Sequence, residues 1–133
     1  MAQARIVIVE DERIVARDLQ LRLSRLGYDV VGVVSSGEDA VACVERTQPH
    51  LVLMDIMLQG TIDGIEAANR IRARAQVPVL YVTAHADAQT SERAKQVSPF
   101  GYVLKPFEDG ELLRTIRVAL ERSGFTGHEP ASS

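Results

Sequence analysis

Two continuously apolar runs, Ile6-Val7-Ile8-Val9 and Leu51-Val52-Leu53-Met54, constrain this chain more than any other feature of it. Four residues rich in branched side chains are too few for a helix. Without alternation, such a run belongs to a strand covered on both faces. Similar short runs recur at 29–34, 79–82 and 101–104, with the first two spanning 5–9 and 51–54. Between them the apolar residues recur at helical spacing. Val15, Leu19, Leu23 and Leu26 form one stripe, closed by Gly27 where a helix ends. Ser36-Gly37-Glu38-Asp39 reads as a capping box that opens a second helix through Val41 and Val44. A third runs from Gly64 through Ile65, Ala68 and Ile71, a more polar fourth covers 88–97, and Leu112, Leu113, Ile116 and Leu120 mark the fifth.

Strands and helices in strict alternation predict an α/β fold, with parallel strands and crossover helices on both faces of the sheet. At 133 residues, 46% hydrophobic and 25% charged, the chain suits one domain with a core of its own. The expected division is a domain over 1–122 followed by a mobile tail or linker start over 123–133. A net charge of −3, from 15 basic and 18 acidic residues, argues against direct nucleic-acid binding. No run approaches a membrane span, and the single cysteine, Cys43, fits a reducing, cytoplasmic setting.

Ligands of an open parallel sheet bind outside the carboxyl ends of its strands, so the residues just past each strand carry the functional information. The first strand runs into Glu10-Asp11, the third into Asp55, the fourth into Thr83 and the fifth into Lys105-Pro106. Singly, each has an ordinary reading: Glu10 or Asp11 as a helix cap, Thr83 as a turn residue, Lys105 as a surface lysine. Asp55 is harder to explain so, because a carboxylate at the end of a covered strand is costly unless it is used. Jointly they converge on one edge. Three carboxylates roughly 5 Å apart repel by on the order of 3 kcal/mol per pair at an effective dielectric near 20. Lys105 offsets part of this, and a hard divalent cation such as Mg²⁺ suits an all-oxygen donor set. A carboxylate, an ammonium and a hydroxyl gathered round such an ion suit a phosphoryl group, and a carboxylate can itself be the nucleophile. Asp55 is the candidate acceptor.

The acidic pair Glu10-Asp11, Asp55, Thr83-Ala84, Tyr102 and Lys105-Pro106-Phe107, each after its own strand, resemble the response-regulator receiver domain of two-component signalling. The resemblance extends from Ile6 to about Leu120. It implies a flavodoxin-like (βα)5 sheet in the order 2-1-3-4-5. It also implies phosphoryl transfer from a histidine kinase or phosphotransfer protein to Asp55, dependent on Mg²⁺ or Mn²⁺. Glu10, Asp11, Asp55 and the backbone carbonyl of Met57 would hold the ion. Thr83, Ala84 and Lys105 would bind the phosphoryl group. Tyr102 would rotate as the face made by the fourth helix, fifth strand and fifth helix changes, and that face would meet a downstream protein or a second copy. Lys105–Pro106 is expected to be cis. Met57 and His85 would flank the hydrolytic water, and an apolar Met57 implies a long-lived phosphorylated state. Such a domain is no enzyme beyond its own phosphorylation and dephosphorylation.

The chain departs from the family pattern after the acceptor: Met57-Leu58-Gln59-Gly60-Thr61-Ile62 precedes Asp63-Gly64 without a proline and with one extra residue. This variant resembles receivers that stand alone or accompany sensor kinases. Three other readings compete. A phosphatase of the haloacid-dehalogenase type needs a second aspartate two residues after the nucleophile, where this chain has Met57. A nucleotide-binding loop is denied by Glu38-Asp39, which come after Gly32 and Gly37 where Lys and Ser or Thr belong. A degenerate receiver serving only as a binding scaffold is disfavoured by the complete set of site residues. Cys43 reads as a small buried hydrophobe, His50 and His128 lack ligand-spaced partners, and Arg70, Arg72 and Arg74 read as a solvated helix face.

Overall fold

In the computed structural model, which describes residues 3–84 and 102–125, each apolar run is a strand. β1 is Arg5–Val9, β2 Asp29–Val34, β3 Leu51–Met54, β4 Val79–Thr83 and β5 Tyr102–Leu104. Four helices are described: α1 (Arg13–Arg25), α2 (Gly37–Thr47), α3 (Gly64–Arg72) and α4 (Asp109–Arg122), the last being the fifth helix of the sequence reading. The predicted helix at 88–97 lies outside the described residues, as does His85. The strands are all parallel, in the order β2-β1-β3-β4-β5. The chain is therefore a doubly wound α/β domain of flavodoxin-like topology.

Continuous apolar runs are needed because the sheet divides the core into two halves, and successive side chains enter opposite ones. Val7, Val9, Val52, Met54, Val79 and Tyr81 face α2 and α3, where Ala40, Val44, Ile65, Ala68 and Ile71 meet them. Ile6, Ile8, Leu51, Leu53, Leu80, Val82 and Val103 face α1 and α4, against Leu19, Leu23, Leu112, Ile116 and Leu120. Cys43 is buried among the first group, as a small hydrophobe should be.

The helix ends obey their local chemistry. Ser36 Oγ accepts from the Asp39 N–H at 3.1 Å, and Asp63 Oδ1 accepts from the Glu66 N–H at 2.9 Å. α1 ends in a reversal at Gly27, whose φ of 96° favours glycine, and Tyr28 N–H closes it on the Leu23 carbonyl at 2.9 Å. Neither Glu10 nor Asp11 caps α1; Glu12 stands at that position and makes no side-chain cap bond. β4 runs one residue beyond the sequence reading because Thr83 pairs with Leu104 across the ladder. Residues 123–125, assigned to the tail by sequence, lie against the domain. Phe125 N–H donates to the Leu120 carbonyl at 3.0 Å, and the Phe125 ring meets His50 with centroids 4.6 Å apart. No helix among the described residues is long and apolar enough to cross a membrane.

Candidate functional site

β1 and β3 are neighbours in the middle of the sheet, so the residues just beyond them emerge side by side. Glu10 N–H donates to the Val34 carbonyl and Asp55 N–H to the Val9 carbonyl, each at 3.0 Å, which continues the ladder one step past the strands. Both side chains are buried, Glu10 to 2% and Asp55 to 6% exposure, while Asp11 is half-buried. One carboxylate oxygen from each of Glu10, Asp11 and Asp55 lies within 4.8 Å of the others.

Lys105 reaches into this group from β5. Its backbone N–H donates to the Thr83 carbonyl at 2.8 Å, extending the ladder from the far side. Its Nζ donates to Glu10 Oε1 at 2.7 Å and lies 3.8 Å from Asp55 Oδ2. One ammonium therefore serves two buried carboxylates. Burial pushes the Glu10 carboxyl up to about 7; Lys105 opposes the shift, and the neighbouring Asp55 adds to it. Thr83 is fully buried at the end of β4, beside exposed Ala84. Tyr102, opposite Tyr81 in the ladder, is half-buried against the α2/α3 half of the core. The Lys105–Pro106 peptide is cis.

The segment after Asp55 is fixed at several points. Met57 N–H donates to Asp55 Oδ1 at 3.1 Å in a turn closed by the aspartate itself. The Met57 side chain stands 52% exposed, while Leu58 and Ile62 turn inward. Gln59 N–H donates to Asp11 Oδ2 at 3.1 Å, and Thr61 Oγ1 donates to Glu38 Oε2 at 2.7 Å, which holds the Glu38 carboxyl below its usual range. The chain then returns close to the acceptor. A Cβ built on Gly64 would lie 2.0 Å from the Asp55 carbonyl oxygen, and Gly64 N–H donates to the Ile56 carbonyl at 2.9 Å.

The structure thus brings Glu10, Asp11, Asp55 and Lys105 together, with Thr83 bonded through its carbonyl to Lys105. Two contributors escaped the sequence reading. The Gln59 N–H is a backbone donor, and no residue type announces it. Gly64 was visible as part of Asp-Gly before a helix, but its approach to a backbone oxygen is a tertiary fact. The other residues singled out have structural roles. His50 Nδ1 accepts from the Arg5 N–H at 2.9 Å, and burial with the Arg5 charge lowers its pKa. Arg70 pairs with Glu66 at 3.3 Å on the exposed side of α3, and Arg74 pairs with Glu45.

The donor set fits a hard divalent cation. All three side chains offer oxygen, two are buried, and among the described residues a single ammonium leaves them short of positive charge.

A family model described as the response regulator receiver domain matches residues 6–117. The transcriptional regulatory protein PdtaR of Mycobacterium tuberculosis is 35% identical over 118 residues, which are 89% of this chain and 57% of that protein. The chain spans little more than half the length of that curated relative. Among solved structures, the signal receiver domain of a modulated diguanylate cyclase from Desulfovibrio desulfuricans superposes with a TM-score of 0.87 at 41% identity, covering 92% of this chain and 98% of that one. A CheY-like receiver domain protein from Methanospirillum hungatei shares the fold, with a TM-score of 0.83 at 24% identity over 95% of this chain and all of that one.

Proposed function

Since the chain belongs to the response regulator receiver domain family, we propose that Asp55 accepts a phosphoryl group from a phosphohistidine on a sensor kinase or phosphotransfer protein. The observation that carries this reading is the sharing of one ammonium, Lys105, between buried Glu10 and buried Asp55 at the ends of adjacent central strands. That arrangement leaves anionic oxygen concentrated at one point, and a structural salt bridge would need only one of the two acids.

The reaction makes one bond and breaks one. A carboxylate oxygen of Asp55 attacks phosphorus, and the donor's P–N bond breaks with its electron pair passing to the imidazole nitrogen. The product is an acyl phosphate on Asp55. The Met57 N–H, bonded to Asp55 Oδ1, fixes the rotation of the carboxylate. Lys105 pairs with a phosphoryl oxygen, and the Thr83 hydroxyl, next to Ala84, donates to another. Mg²⁺ or Mn²⁺, held by Glu10, Asp11, Asp55 and the Met57 carbonyl, would neutralise charge on the transferring group. Tyr102 rotates as Thr83 moves. The face that carries β5 and α4 changes with it, for a downstream protein or a second copy to read. The receiver unit runs past the expected end at 122 to take in Phe125, which packs on the domain, and it is a signalling domain acting in the cytoplasm without nucleic acid or membrane as direct partner.

The test is intact mass after incubation with a small phosphodonor, with and without Mg²⁺, beside Asp55→Asn. One phosphoryl group gained only with Mg²⁺, and lost in the variant, is expected. No adduct on wild type, together with no stable beryllofluoride complex, would leave a binding scaffold instead. The same assay run over time checks the exposed methionine. Met57 has no group to orient an attacking water, so Met57→Asn is expected to shorten the life of the phosphorylated state several-fold, with folding unaffected at so exposed a position. An unchanged decay rate would dismiss Met57 as the cause of a long-lived state.

A further inference from the structure

We propose that Arg22 is a positioning residue for Lys105, holding from α1 the segment that presents the ammonium to the acids. The inference rests on the reading of Lys105 as the phosphoryl-pairing cation.

Lys105 comes directly after a strand of three residues, Tyr102–Leu104, whose described neighbour is β4 alone. Its own N–H is bonded to the Thr83 carbonyl at 2.8 Å, and Pro106 then offers no N–H to extend the ladder. The helical bonds of α4 resume only at Leu112 N–H, which donates to the Glu108 carbonyl at 3.1 Å. In the gap between them stands Arg22, 85 residues away in sequence from Phe107, whose carbonyl accepts from its NH1 at 2.9 Å. The guanidinium carbon lies 5.0 Å from the centre of the Phe107 ring. Arg22 Nε is 3.2 Å from Asp18 Oδ2 and 3.6 Å from Asp109 Oδ1, at the first residue of α4. One planar group thus holds a carbonyl, a ring and the start of a helix, all within four residues of Lys105.

A plain surface ion pair between two helices is the simpler account, and Arg25 with Asp109, 3.5 Å apart and well exposed, is such a pair. Arg22 differs in three respects. Its side chain is only 26% exposed, it bonds the backbone of the loop, and it lies across an aromatic ring, a use suited to a flat and weakly hydrated guanidinium. Its carrier, α1, is anchored by buried Leu19 and Leu23 and begins at Arg13, with only Glu12 between it and the acid pair. The acids and the loop that delivers their counter-charge are therefore fixed against the same helix.

The chain contains two lysines, Lys95 and Lys105. Lysine-selective ¹³C labelling of the full chain therefore gives one Cε resonance for each, assigned with Lys105→Arg. In metal-free protein, Arg22→Gln is expected to move the Lys105 resonance towards the position of a lysine in unfolded protein. Arg22→Lys, with a compact ammonium, restores it only in part. With Mg²⁺ and a small phosphodonor, Arg22→Gln gains its phosphoryl group about tenfold more slowly, as a misplaced group would cause, with Mg²⁺ affinity unchanged. A folded Arg22→Gln with an unmoved Lys105 resonance overturns the proposal and leaves Arg22 as a tie between helices. Should that variant not fold, Asp109→Asn removes one anchor from the exposed side. It is expected to give a smaller shift of the same sign, and no shift there overturns the proposal equally. Wild type that takes no phosphoryl group while Lys105 still responds to Arg22→Gln would remove the proposed function and keep the positioning.

Discussion

Metal-free protein is expected to lose about 3 kcal/mol of stability through Glu10 as the pH rises from 4.5 to about 7. The folded state raises this carboxyl from 4.5 to about 7, because the group is buried and stands beside Asp55, with Lys105 opposing the shift only in part. A raised pKa means that the native protein binds this proton more tightly than the unfolded chain does. The contribution is therefore fully present below pH 4.5 and is lost as the pH passes through about 7. Urea midpoints of wild type and Glu10→Gln across this range report the titration of Glu10 together with its coupling to Asp55 and Lys105. The wild-type profile should fall relative to the variant's, and saturating Mg²⁺ should reverse the fall by favouring the ionised form. Parallel profiles would mean that folding does not shift the Glu10 carboxyl and that burial does not govern it.

Gly64→Ala is expected to destabilise the protein by on the order of 3 kcal/mol and to suppress phosphoryl acceptance with it. The added Cβ would meet the Asp55 carbonyl oxygen at 2.0 Å, with the Asp55 carbonyl carbon and the Ile56 Cα each at 2.9 Å. All three are backbone atoms, so no side chain can swing away, and relief requires moving either α3 or the acceptor. Gly110→Ala is the internal control. It lies in the first turn of α4 with nothing within 4 Å of a new Cβ, and should raise stability by ~0.5–1 kcal/mol through helix propensity. Denaturant midpoints and the phosphoryl mass gain measure both. A Gly64→Ala protein with wild-type values would show that α3 can shift without disturbing Asp55.

Most of the fold was legible because the strands are covered on both faces. Runs such as Ile6-Val7-Ile8-Val9 have no polar alternation to confuse them, and β1, β2 and β3 fall where the sequence reading put them. The capping residue Ser36 and the glycine closing α1 act locally, and local chemistry is written in local sequence. The gathering of Glu10, Asp11, Asp55 and Lys105 was legible for a different reason: a parallel sheet delivers the residues beyond its strand ends to one edge. What the sequence did not disclose depends on distances between remote segments. That Lys105 lies nearer Glu10 than Asp55, that Gly64 abuts the acceptor's carbonyl, and that Arg22 meets Phe107 are facts of packing. The N-cap of α1 falls to Glu12, whose N–H donates to Glu10 Oε2 at 3.2 Å while Lys105 holds Glu10 Oε1, a sharing that no capping rule contains.

The strand order has a consequence for which of these charges can come and go. Glu10 and Asp55 extend from β1 and β3, each flanked on both sides, whereas Lys105 extends from three-residue β5 at the rim of the described sheet. Native proteins open piecewise, and short rim elements open at far lower free energy than flanked ones. Amide exchange through β5 would therefore proceed by local opening, and through β1 and β3 only by global unfolding. The anionic half of the site is as durable as the whole domain, while its counter-charge is lent by the part that breathes.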